Sequence, residues 1–362
     1  MIAAIICEYN PFHIGHSYQI NEIRKMLGED TIILSLMSGS TVQRGDVAVA
    51  SKYHRAMAAI EMGSDLVLEL PYPYSSLVAE QFALSAVSIL DRLCIVDHLV
   101  FGSESGNIGS LAMHAKRRAD SAFEDRLCEM RRTQKDISYP RLVEQCYFQM
   151  YGENFPKGAN DILGVFYIKA LCELGSKIEP LTHLRLPDSS ATRARREMAE
   201  GKYTVIPSEV QSCFLTPPAT LARAERLVLY SLRNGNDPEL RNAALNAVDY
   251  RDLMQKLSDK NCTDARIRRS ILHGVIGYDD TDFVLPSFTN VLAMNQNGAA
   301  LLHKMKKTSA IPIITKPADY TRFPEIISQF ERNLRADSLF SLTTSKILPA
   351  NWSLKATPYV KK

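Results

Sequence analysis

The chain has 362 residues, 46% hydrophobic and 23% charged, with a net charge of +3, which is enough to bury the cores of two soluble domains. No apolar run approaches the ~20 residues of a membrane span, and the start MIAAIICEYNPF lacks the basic n-region of a signal peptide, so a cytoplasmic protein with no membrane role is expected. Cys7, Cys94, Cys128, Cys146, Cys172, Cys213 and Cys262 stand singly, without zinc or redox spacing, and read as free thiols of a reducing compartment.

Residues 2–7 (IAAIIC) predict a strand, and 16–27 a helix with Tyr18, Ile20, Ile23, Met26 and Leu27 on its buried side. A second strand is expected from Thr31 to Met37, a helix over 52–62 stopped by Gly63, and a third strand over Leu66–Leu70. A helix at 77–93 and a strand at His98–Phe101 complete the first hundred residues. Continuous apolar strands joined by helices belong to a parallel sheet covered on both faces, whose ligands bind beyond the carboxyl ends of the strands. The polar clusters Glu8–His16, Ser38–Asp46, Glu69–Tyr74 and Gly102–Glu104 all fall at such ends.

Residues 107–175 read as mainly helical, 178–186 as a strand, and Arg193–Ala199 as a basic helix. Pro207 and Pro217-Pro218 mark the exit from this domain. The fold expected is therefore α/β, a Rossmann-like parallel sheet over residues 1–215, followed by a mainly helical domain over 216–362. That second part carries 21 Lys and Arg against 14 Asp and Glu, whereas residues 1–215 carry 22 against 26. A basic C-terminal part suits a polyanionic partner, although a solvated surface has the same composition.

Three clusters carry chemistry. His13-Ile14-Gly15-His16 follows strand one and opens a helix, so two imidazoles and backbone N–H groups can approach a triphosphate. Such a His-x-Gly-His arises by chance roughly 0.01 times in this composition, so the functional reading is preferred to a pair of core histidines. Donors there would stabilise charge developing on an α-phosphate during adenylyl transfer. Ser190-Ala191-Thr192, followed by Arg193, Arg195 and Arg196 and preceded by Arg185, forms a phosphate clamp or, more simply, an N-capped surface helix. Ser38 and Gly39, with Arg44 and Lys52, form a substrate loop in which either cation could offset a carboxylate or phosphate; a solvated loop fits equally. Asn160 is explained by an N-cap. His13 and His16 lack a third neighbouring ligand, so no resident metal is expected.

The segments EYNPFHIGH, MSG, QRGD, LVLELP, LVFGSESG, NDILGVFYIKAL and SATRAR occur here in the order found in bacterial tRNA-Met cytidine acetate ligases, and the chain resembles that family of HIGH-type nucleotidyltransferases. The resemblance is strong over residues 1–200 and looser through 265–278 to about 316. It departs at Ser40-Thr41-Val42, where an asparagine and an aromatic residue are usual, and at Ser51, where an acidic residue is usual. It implies activation of acetate by ATP as acetyl-adenylate, release of pyrophosphate, and acetylation of N4 of the wobble cytidine in elongator tRNA-Met. Magnesium would accompany ATP.

By the same resemblance Cys7, Glu8, Tyr9, Asn10, Pro11, Phe12, His13, Ile14, Gly15, His16, Ser17, Tyr18, Gln19 and Ile20 line the ATP site, completed by Gly102, Asn160 and Arg185. His13 and His16 would act on the reacting phosphates, and Ser190 and Thr192 would hold the triphosphate end. Arg266 and Arg269, one helical turn apart, are with Arg268 the expected RNA contacts. A small-molecule adenylyltransferase would share the phosphate chemistry but leave the basic C-terminal part without a role. A nucleotide- or RNA-binding protein without activity would not need both histidines.

Overall fold

The apolar run IAAIIC forms β1 (Ile2–Cys7), and the polar residues after it lead into α1 (Ile14–Leu27). In the computed structural model, which describes every residue except Lys135, Asp188, Lys260, Asn261, Asp280 and Asp282, the chain continues through β2 (Ile32–Ser38), a short hairpin of β3 (Thr41–Val42) and β4 (Asp46–Val47), α2 (Lys52–Glu61) and β5 (Leu66–Leu70). Next come α3 (Ala79–Arg92), β6 (His98–Ser103), and the helices α4 (Ile108–Arg118), α5 (Ser121–Thr133), α6 (Tyr139–Tyr151) and α7 (Ala159–Glu173). β7 (Glu179–Leu184) and α8 (Ala191–Ala199) close this part. The remainder holds α9 (Glu225–Arg233), α10 (Pro238–Asn246), α11 (Tyr250–Lys256), α12 (Asp264–Ile276), β8 (Thr289–Met294), α13 (Gln296–Thr308), β9 (Ile313–Ile314), α14 (Ile327–Thr343), α15 (Trp352–Lys355) and β10 (Tyr359–Val360).

The main sheet runs β10-β8-β5-β2-β1-β6-β7, with β9 beside β8. β5, β2, β1, β6 and β7 are parallel, as the apolar runs predicted. From β1 the chain winds outward to β2 and β5, then crosses back to β6 and β7. The order therefore reverses between β1 and β6, where a crevice opens at the carboxyl ends. Buried residues of α1 and α2 cover one face of the sheet, and those of α3 and α7 the other.

The part beyond residue 216 is mainly helical, yet it returns to the sheet. β8 pairs antiparallel with β5, joining Leu66 to Met294 and Val67 to Ala293, and β10 adds parallel to β8. Apolar clusters on both faces include residues from each side of position 216, so no separate core marks a boundary there. A short 3-10 turn, Leu221–Ala224, leads into α9. Asp46 accepts from Leu221 N at 2.8 Å and from Thr220 Oγ1 at 3.1 Å, which ties the turn before α9 to the hairpin. α12 packs on the same hairpin: a Cβ on Gly45, whose φ is +79°, would lie 2.3 Å from Arg269 N.

Candidate active site

At the start of α1 the two histidines cap the helix themselves. His13 is the N-cap residue, and its Nδ1 accepts from Gly15 N at 3.1 Å; His16 Nδ1 accepts in return from His13 N at 3.1 Å. This is a capping box with imidazoles in place of the usual Ser and Glu. The rings stack with centroids 3.7 Å apart, and His16 rests against the Tyr9 and Phe12 rings. Two cations stacked this closely would repel. Burial, with Arg185 and Arg195 nearby, lowers the His13 pKa to about 4. Burial, His13 and Arg185 hold His16 well below the usual imidazole range. Both rings are therefore neutral. With each Nδ1 accepting from a backbone N–H, each proton sits on Nε2.

The hydroxyls of α8 are committed in the same sense. Ser190 Oγ caps the helix by accepting from Arg193 N at 3.2 Å, and Thr192 Oγ1 accepts from Arg195 Nη2 at 3.2 Å. The cap reading and the clamp reading are thus compatible, because an accepting hydroxyl keeps its own proton to donate. His13, His16, Ser190 and Thr192 border one cleft of about 330 Å³ at the reversal of strand order. Hydrogen-bond donors converge there on a space open to an anion.

The post-β1 segment is held from behind. Tyr9, at φ +45°, turns its side chain inward, and its hydroxyl lies 3.0 Å from Ser35 Oγ. Asn10 Oδ1 accepts from Val49 N at 2.7 Å, while its carbonyl accepts from Arg195 Nη1 at 2.9 Å. Glu8 accepts from Gln43 N at 2.7 Å; burial raises its pKa against Gln43 N–H and the charges of Arg195, Arg55 and Arg44. Arg55, fully buried on α2, donates to the carbonyls of Ala50, Glu8, Ser38 and Gly39, stitching the ends of β1 and β2 together.

The opposite wall comes from β6, β7 and α7. Asp161 accepts from Glu104 N at 3.0 Å and from the Ser103 hydroxyl, fixing the turn after β6. Glu104 in turn accepts from Asp161 N at 2.8 Å, Asn160 Nδ2 at 2.7 Å and Arg185 Nη1 at 3.0 Å.

Of the residues expected at the ATP site, Cys7, Glu8, Tyr9, Asn10, His13, Gly15, His16, Gln19, Gly102, Asn160, Arg185, Ser190 and Thr192 border this cleft. Pro11, Phe12, Ile14, Ser17, Tyr18 and Ile20 do not: Phe12 and Ile20 belong to the core, Ile14 faces outward, and Tyr18 packs on His183 from behind. Arg44 reaches the cleft, but Ser38, Gly39 and Lys52 lie beneath it. Lys52 needs the plainest correction. Its Nζ sits 2.8 Å from Glu69 and 2.8 Å from Asp337, buried with both. Burial opposes its charge, but Asp337 and Glu69 outweigh that and raise its pKa, so it is a structural cation.

The α12 arginines separate. Arg266 is exposed beside a different cleft, between α6 and α10–α12, whereas Arg269 Nη1 donates to Gln43 O at 3.2 Å and Arg268 interacts electrostatically with Arg195 and Asp46. Sequence reasoning did not single out His183 or the buried Arg55. For Arg55 the available signal was a cation on the apolar side of α2, between Lys52 and Ala59.

Gly15 gives a direct test of the cleft. A Cβ there would lie 2.4 Å from Ser189 Oγ, on the loop that enters α8. Gly15→Ala is expected to push that loop away from α1 and weaken ATP binding roughly tenfold, a cost of about 1.4 kcal/mol and within the usual range for overpacking. Calorimetric titration with ATP checks this, and unchanged affinity would separate the two helix starts from nucleotide binding.

The family description HIGH Nucleotidyl Transferase matches residues 1–202 and 186–351. The tRNA(Met) cytidine acetate ligase of Thermoanaerobacter sp. (strain X514) is 30% identical over 94% of this chain and 95% of its own length. That of Caldanaerobacter subterraneus subsp. tengcongensis is 31% identical over 93% and 94%. Among solved structures, Thermotoga maritima TmcAL bound with alpha-thio ATP superposes with a TM-score of 0.90 at 27% identity, covering 99% of both chains.

Proposed function

The chain belongs to the HIGH nucleotidyl transferase family, and from that membership we propose that it is an ATP-dependent tRNA(Met) cytidine acetate ligase. One observation carries the reading: His13, His16, Ser190 and Thr192 each already accept a hydrogen bond, so each keeps a proton to donate, and all four border one cleft. In the reaction an acetate oxygen attacks the α-phosphorus of ATP and pyrophosphate leaves. Negative charge grows on the non-bridging oxygens and the leaving group, where these donors stabilise it. The second step, at N4 of the wobble cytidine in elongator tRNA-Met, forms the C–N bond as AMP departs and the amine loses a proton. Glu8, kept above the ordinary carboxylate range by burial, lies within the same cleft and could take that proton.

Magnesium would accompany the triphosphate. Among the described residues no cluster of three His, Cys, Asp or Glu side chains could cage it, so phosphate and water oxygens would be its ligands. For the RNA, Arg44 at the cleft edge and Arg268 on the docked α12 are the best candidates. Among the described residues neither guanidinium is held by a hydrogen bond or ion pair, and both add to the positive field around Arg195. Arg266 would lie outside this contact, and Arg269 would brace the hairpin. Among the described residues no helix is long and apolar enough to cross a membrane.

The test is pyrophosphate release from ATP and acetate, with and without tRNA, followed by mass analysis of the RNA. Acetate-dependent release and N4-acetylcytidine confined to the tRNA-Met anticodon are expected, with RNA affinity falling steeply as salt rises. Release dependent on a small phosphorylated acceptor instead of acetate would point to a cofactor adenylyltransferase. ATP and RNA binding without release would leave a non-catalytic protein.

A further inference from the structure

His183 faces the same cleft with the opposite hydrogen-bonding sense. It lies at the end of β7, about nine-tenths buried, and its Nδ1 is 3.0 Å from Leu184 O. A carbonyl only accepts, so Nδ1 must carry the proton. Burial keeps the ring neutral, and Nε2 is then a lone pair. That nitrogen is buried without a partner, and His183 borders the cleft. An unsatisfied buried acceptor costs about as much as a lost hydrogen bond, so the site is incomplete in the unliganded protein.

The cleft reaches this edge of the ring beside Gly102. His183 is in register with Gly102 on β6, and a Cβ at Gly102 would meet His183 Cε1 at 3.3 Å, His183 Nε2 at 3.5 Å and Arg185 Cγ at 2.9 Å. Any side chain at position 102 would crowd the imidazole edge, so the glycine is what lets that edge border the cleft. Other polar groups around it already have partners: Gln19 Nε2 donates to Val100 O, and Arg185 donates to Glu104 and Ser189 O.

ATP has few donors. Its phosphates and ring nitrogens accept; only the adenine amino group and the ribose hydroxyls donate. The cleft's donors at His13, His16, Ser190 and Thr192 suit the phosphates, whereas His183 suits the nucleoside. A ribose hydroxyl against Nε2 would still have its own lone pairs to satisfy, but an amino group has only protons to place. We propose that His183 Nε2 accepts a hydrogen bond from the adenine amino group, so that the base enters beside Gly102 and the enzyme selects ATP over nucleotides with a 6-oxo group. The proposal rests on reading the cleft as the ATP site.

The experiment compares binding of ATP, inosine triphosphate and 2′-deoxy-ATP to wild type, His183→Ala and Gly102→Ala by calorimetry, which needs no acetate or RNA. Wild type should prefer ATP to inosine triphosphate by about 100-fold, because a 6-oxo group sets acceptor against acceptor. In His183→Ala the preference should shrink to within about threefold, mainly through weaker ATP binding. Gly102→Ala should weaken both nucleotides. The ratio of affinities within one variant is insensitive to partial misfolding. A preserved preference in His183→Ala would overturn the proposal, as would loss of discrimination against 2′-deoxy-ATP instead, which would assign the acceptor to the ribose. Selective ATP binding without acetate-dependent pyrophosphate release would sink the ligase reading and leave the role of His183 standing.

Discussion

Replacing His16 by alanine should slow acetate-dependent pyrophosphate release by about 100-fold while ATP binding changes little, because one preorganised donor to the reacting phosphate is lost. The substitution also removes the acceptor for His13 N–H, so a cap is lost with the donor. His16→Asn separates the two effects. Its amide oxygen can replace Nδ1 at the cap, but its shorter side chain places no donor where Nε2 stood. Stability near that of wild type with a rate still about 100-fold down is expected. Recovery of the rate in His16→Asn would mean that His16 acts by shaping the helix start. The rate should also show no histidine limb between pH 6 and 8, since His13 titrates at about 4 and His16 also below the usual range. The corresponding stability term has a definite sign. Folded His13 holds its proton less tightly than an unfolded histidine, so its contribution is complete above the ordinary imidazole value and is lost as pH falls toward about 4.

Lys52→Met should destabilise the protein by about 3–5 kcal/mol, read from the midpoint of urea unfolding, because it strands two buried carboxylates. Glu69 would keep its bonds from Asn290 Nδ2 at 2.6 Å and Asn333 Nδ2 at 3.2 Å, and Asp337 its bond from Ser40 Oγ at 2.5 Å. Neither would keep a cation. The remaining folded protein should bind ATP within about threefold of wild type, since the ammonium lies behind the cleft. Adding Asp337→Leu should return part of the loss, as expected when both members of a buried pair are removed. Full stability in Lys52→Met combined with loss of acetate dependence would instead restore the lysine to the substrate loop.

The sequence was most informative where its own short-range pattern decides the outcome. Strands at 2–7, 32–38 and 66–70 and the helices between them follow from apolar runs and breakers, and the reactive loops follow from strand ends. The histidine pair was legible because both residues act within four positions of each other. Lys52 was not, because one partner, Asp337, is 285 residues away and the other, Glu69, sits inside the apolar strand β5. Arg55 failed for the same reason: its carbonyl partners lie on three different segments. The resemblance placed Phe12 and Ile20 at the ATP site as parts of one continuous segment, whereas Ile20 lies on the buried side of α1 and Phe12, in the loop before that helix, packs into the core. His183 carries no motif at all. Its meaning comes from a carbonyl on one ring nitrogen and a glycine in the adjacent strand.

The antiparallel insertion of β8 beside β5 also bears on the order in which the molecule can be made. β5 is buried along its length and apolar apart from Glu69, yet the neighbour that covers its outer edge arrives more than two hundred residues later in synthesis. Until Thr289–Met294 has emerged, the nascent nucleotide-binding half presents an uncapped apolar edge, the kind of surface that recruits other strands. Native pairing there is also long-range and therefore slow to form. The lysine network behind the cleft, which needs Asp337, thus completes last, when the C-terminal segment folds back, and fragments ending before β8 should accumulate as aggregates.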